Sequence, residues 1–332
     1  MARWLKRPEG ANWGEFGEQD TVGRMNLVTP ERRRRALAEA REGEVFLLGL
    51  PLDHPRSQLF PGRVPPQLAP TTDAQGRVMY DWQPTGGATD VVNDDRVTMD
   101  LQYSTQWDGL GHYGVAFDAD NDGVAEHVFY NGYRSDGDFV QPSGDRAPRA
   151  LALGIEKLAQ TCVQGRGVLV DIRGALANRH GAVGYEGLQR ALAVQGASVE
   201  AGDFLCVYTG YSDLLLQGGA QVDPAALGRC PGLDGFDPEL LKWIDQVGLA
   251  AICADNPMVE KIAGVERCAG KALLPLHEHC LVKLGIHLGE LWWFGGIAPW
   301  LATHGRAHFL LTAPPLNLPG AVGSPATPIG TV

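Results

Sequence analysis

GVLVDI (residues 167–172) is a short apolar run rich in β-branched residues, and three similar runs follow it, FLCVYTG (204–210), AAICADN (250–256) and AHFLLTAPP (307–315). Apolar runs of this length are typical of strands that are buried on both faces of a sheet. Helical patterns lie between them, most clearly PELLKWIDQVG (238–248), in which apolar residues recur with the 3.6-residue period. This alternation predicts an α/β fold with some parallel strand pairing.

The segments before this core have a different character. Near the amino terminus, Thr29-Pro30 followed by a charged segment and Gly43 predicts a helix that begins at Pro30 and ends at Gly43. The stretch from about 51 to 145 is rich in Gly, Pro, Asp and Asn. Such a composition predicts additional β-structure and long surface loops.

The 332 residues contain no polar linker and no low-complexity tract. We therefore expect a single domain over residues 1–332, with an N-terminal arm over about 1–45 and an extended C-terminal tail over about 313–332. The tail is rich in Pro and Gly. We expect it to run over the surface or against a neighbouring subunit.

Charge and composition exclude several partners. The formal net charge of −11 repels phosphate backbones and anionic membrane surfaces, so nucleic acid is a poor candidate. The amino terminus lacks an apolar signal core and no apolar run reaches the roughly 18 residues of a membrane span, which predicts a cytoplasmic protein without a membrane partner. The six cysteines form no CxxC pair and are interpreted as free, mostly buried thiols.

Two segments are dense in candidate metal ligands. In QYSTQWDGLGH (102–112), the side chains of Gln106, Asp108 and His112 lie within one glycine-containing stretch that could curl around a cation. Single Asp and His residues in a loop also serve as turn formers or hydrogen-bonding partners, and that alternative stays open.

The second candidate segment is LPLHEHCLVKLGIHLGEL (274–291). His277, His279 and Glu290 flank a helical pattern that ends near Gly285, so a His and a Glu could reach one pocket from the same side of a sheet. The spacing does not decide whether His277 or His279 faces that pocket. The competing interpretation is that His279 and His287 are only surface residues.

Several blocks in this order resemble the cyclase family, which includes bacterial kynurenine formamidases and isatin hydrolases. The resemblance covers nearly the whole chain and is carried by NWGEFGEQDTVGRMNLVTPE, STQWDGLGH, GRGVLVDI, GDFLCVYTG, PGLDGFDPELLKWI, AAICADN, LPLHEHCLVKLGIHLGE and FLLTAPPLNLPGAVGSPATPI. It implies a swivelling β/β/α fold with a mixed sheet, a homodimer or homotetramer, and hydrolysis of amide bonds in aryl formamides or cyclic amides.

The family's signature segment, HxGTHxDxPxH, implies a set of metal ligands. Its Asp and its last His match Asp108 and His112, and two later ligands match His277 and Glu290. The first two histidines of the pattern are replaced here by Gln102 and Gln106, and Ser104 and Leu110 replace the Gly and the Pro.

These replacements bear on the cofactor. An amide oxygen is a harder and weaker ligand than imidazole, which favours Mn²⁺, Mg²⁺ or Ca²⁺ over Zn²⁺. The resemblance therefore implies one divalent ion held by Asp108, His112, His277 and Glu290, with Gln106 as a fifth oxygen contact. The alternative is a branch of the family that holds no ion.

The resemblance also implies roles in catalysis. Whichever of His112 and His277 does not bind the ion would act as the general base beside Asp108, and a water activated by the ion would attack the amide carbonyl. Trp107, Tyr113, Phe117 and Trp292 or Trp293 would form a planar apolar pocket for an aromatic substrate, with Gln102 as a polar contact; core packing is the alternative for each aromatic residue.

Two further functions stay open at this point. One is metal-free ring opening, closure or dehydration by Asp108 and His112 as an acid/base pair. The other is a family member that only binds a ligand. Asp171 and Asp255 follow two of the apolar runs, and we interpret both as helix caps or structural hydrogen-bonding groups.

Overall fold

The structure, a computed structural model, describes residues 3–56, 59–174, 181–261 and 272–332. Within them the strands are β1 (Val45–Leu47), β2 (Gln67–Pro70), β3 (Asp95–Thr98), β4 (Gln106–Asp108), β5 (Val115–Phe117), β6 (Glu126–Val128), β7 (Phe139–Val140), β8 (Arg149–Ala150), β9 (Gln164–Asp171), β10 (Ala182–Val183), β11 (Phe204–Tyr208), β12 (Gly232–Leu233), β13 (Ala251–Ala254), β14 (His287–Glu290), β15 (His308–Thr312), β16 (Gly323–Pro325) and β17 (Ile329–Thr331).

The described helices are short. The α-helices are α1 (Pro30–Leu37), α2 (Glu156–Gln160), α3 (Tyr185–Val194), α4 (Tyr211–Gly218), α5 (Pro224–Arg229), α6 (Pro238–Val247), α7 (Pro275–His277) and α8 (Ile297–Thr303). A π-helix, Glu278–Leu284, continues α7 directly, and 3₁₀ turns lie at Gly23–Leu27, Tyr130–Gly132 and Gly219–Gln221. None of the helices in the described part of the chain has the length and apolar character needed to cross a membrane.

One mixed sheet of nine strands organises the fold, in the order β1-β17-β15-β9-β11-β13-β14-β4-β16. Its centre is parallel, from β9 through β11 and β13 to β14, and the strands on either side of that centre run antiparallel. The four predicted apolar runs form β9, β11, β13 and β15, which confirms the mixed α/β fold. Both faces of these strands are buried, since Val170 and Leu205 pack in one hydrophobic layer while Leu169 and Cys206 pack in another.

The sheet curls until its two ends meet. β17 is second and β16 ninth in the strand order, which in a flat sheet would separate them by about 34 Å at roughly 4.8 Å per strand. Only residues 326–328 join them, and a connection of that length spans at most about 14 Å. The backbone N–H of Ala326 donates to Thr105 O (3.0 Å), and that of Leu48 donates to Pro328 O (2.8 Å). These residues therefore tie one end of the sheet to the other.

This closure corrects part of the prediction for the C-terminal tail. Residues 316–319 are exposed, but residues 323–325 and 329–331 do not run over the surface, because β16 pairs with β4 and β17 lies between β1 and β15. Ser324 and Val332 are fully buried. The tail is part of the sheet that carries the candidate site.

The predicted N-terminal helix is correct in its start and wrong in its end. The Thr29 hydroxyl accepts the N–H of Arg32 (3.3 Å), as expected of an N-cap, but α1 ends at Leu37 rather than at Gly43. The physical reason is tertiary contact beyond Leu37. The Arg306 guanidinium donates to Glu39 O (2.6 Å), and the backbone N–H of Gly43 donates to Val332 O (2.8 Å), so the chain there follows the sheet.

Candidate active site

Three side chains from separate parts of the chain meet beside β4. Asp108 ends β4, His277 ends α7 and Glu290 ends β14, and one ligand atom from each lies within 4.8 Å of the others. His277 Nε2 is 3.3 Å from Glu290 Oε1 and 3.9 Å from Asp108 Oδ2. All three residues are buried. The structure thus brings together three of the residues that the sequence singled out.

Gln106 links the two carboxylates of this cluster. In the β4–β14 pairing, Gln106 lies opposite Glu290, and Leu288 lies opposite Asp108. The Gln106 amide Nε2 donates to Asp108 Oδ1 (3.0 Å) and to Glu290 Oε2 (3.0 Å). Since Gln106 and Asp108 are two residues apart on a strand, their side chains share one face. One neutral amide thereby holds two buried carboxylates in place.

His277 is held on its other side by Glu260. His277 Nδ1 lies 2.8 Å from Glu260 Oε1, which leaves Nε2 directed towards Asp108 and Glu290. Burial alone would lower the pKa of His277, but hydrogen bonds and charges from Glu260 and Glu290 raise it to about 10. The imidazole in this arrangement therefore favours its protonated form among the three carboxylates.

His279 points elsewhere. Burial lowers the pKa of His279 to about 4, and the described groups that affect it belong to α6 and its neighbours rather than to the cluster. Of the two histidines that the sequence could not distinguish, His277 is the one that faces Asp108 and Glu290.

His112 reaches the cluster from a tight turn after β4. Its Nε2 is 3.8 Å from Asp108 Oδ1, and about a quarter of its side chain is exposed. The turn depends on close backbone approach, because a Cβ on Gly109 would lie 2.7 Å from Val322 O and one on Gly111 would lie 2.9 Å from Leu153 O. Burial raises the pKa of Asp108, Glu290 adds to that increase, and His112 opposes it. The His112 side chain is thus more exposed than those of Asp108, His277 and Glu290.

The side chain at the other replaced histidine position, Gln102, makes no hydrogen bond to Asp108 or Glu290 and lies beside Gly323, the residue paired with Asp108. A Cβ on Gly323 would lie 2.4 Å from its Nε2, so the Gln102 side chain packs against β16. Its backbone oxygen accepts a hydrogen bond from Arg63 Nη1 (2.9 Å). The two glutamines thus occupy different environments, and only Gln106 contacts Asp108 and Glu290.

The aromatic residues expected to form the pocket separate into two groups. The Tyr113 ring is half-buried with its centroid 5.4 Å from that of His277, so it lines the cluster. Trp107 lies on the opposite face of β4, fully buried, 5.1 Å from the Trp292 ring, and its Nε1 donates to Ala313 O (2.7 Å). This placement favours the core-packing alternative for Trp107.

Three other aromatic residues also have structural partners. Phe117 packs edge-on against Trp13 with ring centroids 6.4 Å apart. Trp292 Nε1 donates to Gln106 O (3.1 Å), and Trp293 Nε1 donates to Asp213 Oδ1 (2.8 Å). Trp292 therefore supports the strand that carries the cluster, from the opposite face.

The donor set of this cluster fits a divalent cation. Gln106 Oε1 is buried and has no hydrogen-bond partner, although buried polar atoms usually have one, and Glu290 Oε1 has only its ion-pair contact with His277 Nε2 (3.3 Å). Carboxylate oxygen, imidazole nitrogen and amide oxygen are ligands for Mn²⁺, Mg²⁺, Ca²⁺ and Zn²⁺. Asp108, His277 and Glu290 would hold the ion, and Gln106 Oε1 would become a ligand if its amide turned towards it.

Glu260 is a polar residue near the cluster that sequence reasoning missed. Its position before the second candidate segment carries no motif, and only the folded chain places it against His277. Asp255 was interpreted correctly as a structural group. Its carboxylate accepts the N–H groups of Thr209 (2.7 Å) and Gly210 (2.8 Å) ahead of α4, and burial raises its pKa to about 7.

A second acidic group lies on the loop between β5 and β6. Asp118, Asp120, Asp122 and Glu126 could also surround a cation, but they are partly exposed. Asp118 accepts the N–H groups of Asp122 (3.1 Å) and Gly123 (3.1 Å), and Arg134 pairs with Asp120 (2.9 Å) and Glu126 (3.2 Å). These carboxylates therefore bind N–H groups of their own loop and the Arg134 guanidinium, which stabilises the loop.

Comparison with known proteins identifies the family. Residues 47–261 match the model of the cyclase family, described as "Putative cyclase". A crystal structure of a novel cyclase is 32% identical to this chain, covers 97% of each chain and superposes with a TM-score of 0.77. No curated protein matches the sequence.

More distant structures share the fold. Isatin hydrolase A from Ralstonia solanacearum is 15% identical, with a TM-score of 0.53 over 90% of this chain and 94% of that chain. Isatin hydrolase A from Labrenzia aggregata, bound to benzyl benzoate, is 14% identical, with a TM-score of 0.53 over 87% of this chain and 93% of that chain. The family match, which covers more than half of the sequence, and the 32% identical relative lead to one conclusion: the chain belongs to the cyclase family.

Proposed function

We propose that this chain is a metal-dependent hydrolase that cleaves the amide bond of an aryl formamide or a cyclic amide. The observation that carries the proposal is the convergence of Asp108, His277 and Glu290, with ligand atoms within 4.8 Å of one another, next to the unpartnered oxygen of Gln106. Family membership and the fold shared with isatin hydrolases agree with it.

The chain's own groups would position the substrate and move protons. Asp108, His277 and Glu290 would hold a divalent ion, which supplies Lewis acidity for a carbonyl oxygen and for water. His112 would take a proton as water oxygen adds to the carbonyl carbon, and would return it to nitrogen as the C–N bond breaks. It suits this role because its side chain is more exposed than those of Asp108, His277 and Glu290, with its Nε2 3.8 Å from Asp108 Oδ1.

The Tyr113 ring beside His277 would form one wall for a planar substrate. Two structures of the same fold are isatin hydrolases by name, and the substrate class that we propose for this chain is a small aromatic amide. Gln102, which packs at β16, stays a candidate polar contact at the edge of the site. The cytoplasmic location and the homodimeric or homotetrameric assembly stay predictions from the sequence.

Metal analysis with add-back tests this proposal. Purified protein would be analysed for bound metal, stripped with a chelator, and assayed with formanilide and isatin after return of Mn²⁺, Zn²⁺, Mg²⁺ or Ca²⁺ singly. We expect loss of turnover on stripping and recovery with Mn²⁺, Mg²⁺ or Ca²⁺ before Zn²⁺, because the amide oxygen of Gln106 favours harder ions. Full activity after stripping would contradict metal dependence.

A second candidate is metal-free acid/base chemistry by Asp108 and His112, which would open, close or dehydrate a ring. The observation that favours it is the charge balance of the cluster. His277, whose pKa is raised by Glu260 and Glu290, lies between Glu260, Glu290 and Asp108, and the Gln106 amide donates to two of these carboxylates, so protein groups already stabilise the buried carboxylates. Turnover that is unchanged by chelation but lost in His112→Gln would establish this mechanism instead.

A further inference from the structure

Glu260 receives three N–H groups around the start of α7. Its Oε1 accepts the backbone N–H of His277 (3.1 Å) and lies 2.8 Å from His277 Nδ1, while its Oε2 accepts the backbone N–H of Leu276 (3.2 Å). Glu260 is only 3% exposed. One carboxylate therefore fixes both the backbone and the ring of His277.

The backbone that presents Glu260 is strained. The two residues before it, Met258 and Val259, have φ values of +95° and +59°. Positive φ is costly for a β-branched residue such as Val, and such strain persists only where surrounding contacts enforce it. Here Val259 O accepts the backbone N–H of Leu233 (3.1 Å) and the side-chain amide of Asn256 (3.3 Å). The strained backbone at Met258 and Val259 lowers the stability of the fold, and the contacts that enforce it hold Glu260 in one position.

A glycine on a neighbouring loop leaves room for the carboxylate. A Cβ on Gly235 would lie 2.3 Å from Glu260 Oε2 and 2.9 Å from the backbone nitrogen of Leu276. The first distance is shorter than real Cβ contacts, so any larger residue would displace the carboxylate. Gly235 has no positive φ, hence its role is to leave space rather than to permit an unusual backbone.

From these contacts we infer that Glu260 is a positioning residue, which fixes the imidazole of His277 through Nδ1 and thereby directs Nε2 to the point shared by Asp108 and Glu290. The inference rests on the proposed function insofar as that point holds a divalent cation. A hydrogen-bonding partner on the far nitrogen of a metal-binding histidine sets the ring orientation, and loss of such a partner typically lowers metal affinity about 10- to 100-fold. Glu260 itself would not touch the ion or the substrate.

Two measurements on the full chain test the role of Glu260. Proton NMR of metal-free protein should show a downfield, exchange-protected imidazole N–H, assigned by its loss in His277→Gln. Calorimetric titration with Mn²⁺ should give the dissociation constant. In Glu260→Gln we expect the N–H signal to move upfield and the Mn²⁺ dissociation constant to rise about 10- to 100-fold. Gly235→Ala, which leaves Glu260 chemically intact, should shift both readouts in the same direction.

The matched control is Glu156→Gln. Glu156 is also a buried glutamate that accepts a backbone N–H, from Gly320 (2.9 Å), and it lies outside the His277 cluster. This variant should leave the N–H signal and the Mn²⁺ affinity unchanged. An unaltered N–H signal in both Glu260→Gln and Gly235→Ala would overturn the inference, even if stability fell. If wild-type protein binds no Mn²⁺, Zn²⁺, Mg²⁺ or Ca²⁺, the proposed metal dependence fails, and the N–H signal alone decides the role of Glu260.

Discussion

Replacing Gln106 with Leu tests whether a neutral amide holds the two site carboxylates together. Leu is similar in size to Gln but offers no N–H, so both hydrogen bonds, to Asp108 Oδ1 and to Glu290 Oε2 (3.0 Å each), are lost. A hydrogen bond to a charged group contributes about 1.5 to 3 kcal/mol, so we expect the free energy of unfolding to fall by about 3 to 6 kcal/mol. That is a large part of the stability of a typical domain.

The assay is urea unfolding in the presence of a chelator. The loss should be smaller at pH 5 than at pH 8, because burial raises the pKa of Asp108 and a carboxyl without its donor can take up a proton as the pH falls. Gln164→Leu is the control, since the amide of Gln164 donates to the neutral hydroxyl of Thr312 (3.1 Å) and its loss should cost only about 1 kcal/mol. A Gln106→Leu protein as stable as this control at pH 8 would refute the reasoning.

Three further predictions concern Asp108, the two glutamines at the motif's histidine positions, and His279. Asp108→Asn keeps the volume of a buried side chain but removes its charge. Turnover of an aryl formamide should therefore fall at least about 100-fold, while the circular dichroism spectrum stays that of wild type. A fall in activity that only tracks the folded fraction would show that Asp108 has a structural role. The double variant Gln102→His, Gln106→His adds imidazole donors, so its dissociation constant for Zn²⁺ should fall relative to that for Mn²⁺. If calorimetry shows no change in the ratio of these two dissociation constants, the assignment of Gln106 to the metal site is contradicted. Burial lowers the pKa of His279 to about 4 from an ordinary value near 6.5. As the pH drops from 6.5 to 4, the unfolded chain therefore takes up a proton at His279 while the folded chain does not. The free energy of unfolding should fall by up to about 3 kcal/mol over this range. Urea unfolding across that range should show a shallower fall for His279→Gln, and an equal slope would argue against a neutral buried imidazole.

The central strands were predictable because their apolar composition alone indicates that they are buried in the middle of a sheet. β9, β11, β13 and β15 are buried on both faces, so they read as continuous apolar runs. β16 carries no such signal: Gly323–Pro325 is three residues long and ends in proline. Proline is tolerated there because β16 is the edge strand of the sheet, a fact that only the fold supplies.

The site was predictable only where a motif or a matching segment marked a residue. Asp108, His277 and Glu290 were singled out in this way, and the fold brings them together. Trp107 shows the limit of such reasoning, because in a three-residue strand the sequence does not say which face is which. Glu260 could not be found at all, since its contact with His277 depends on the strained turn before it and on the space at Gly235.

The closure of the sheet by its distant strands has a consequence for folding kinetics. Trp107 in β4 finds its hydrogen-bonding partner, Ala313, 206 residues further along the chain, and Gln106 finds Glu290 184 residues away. Contacts of such high sequence separation form slowly, and strands that wait for them remain open to pairing with other molecules. Substitutions that weaken the pairing of β4 should therefore reduce the yield of soluble protein during expression, before they produce a folded but inactive enzyme.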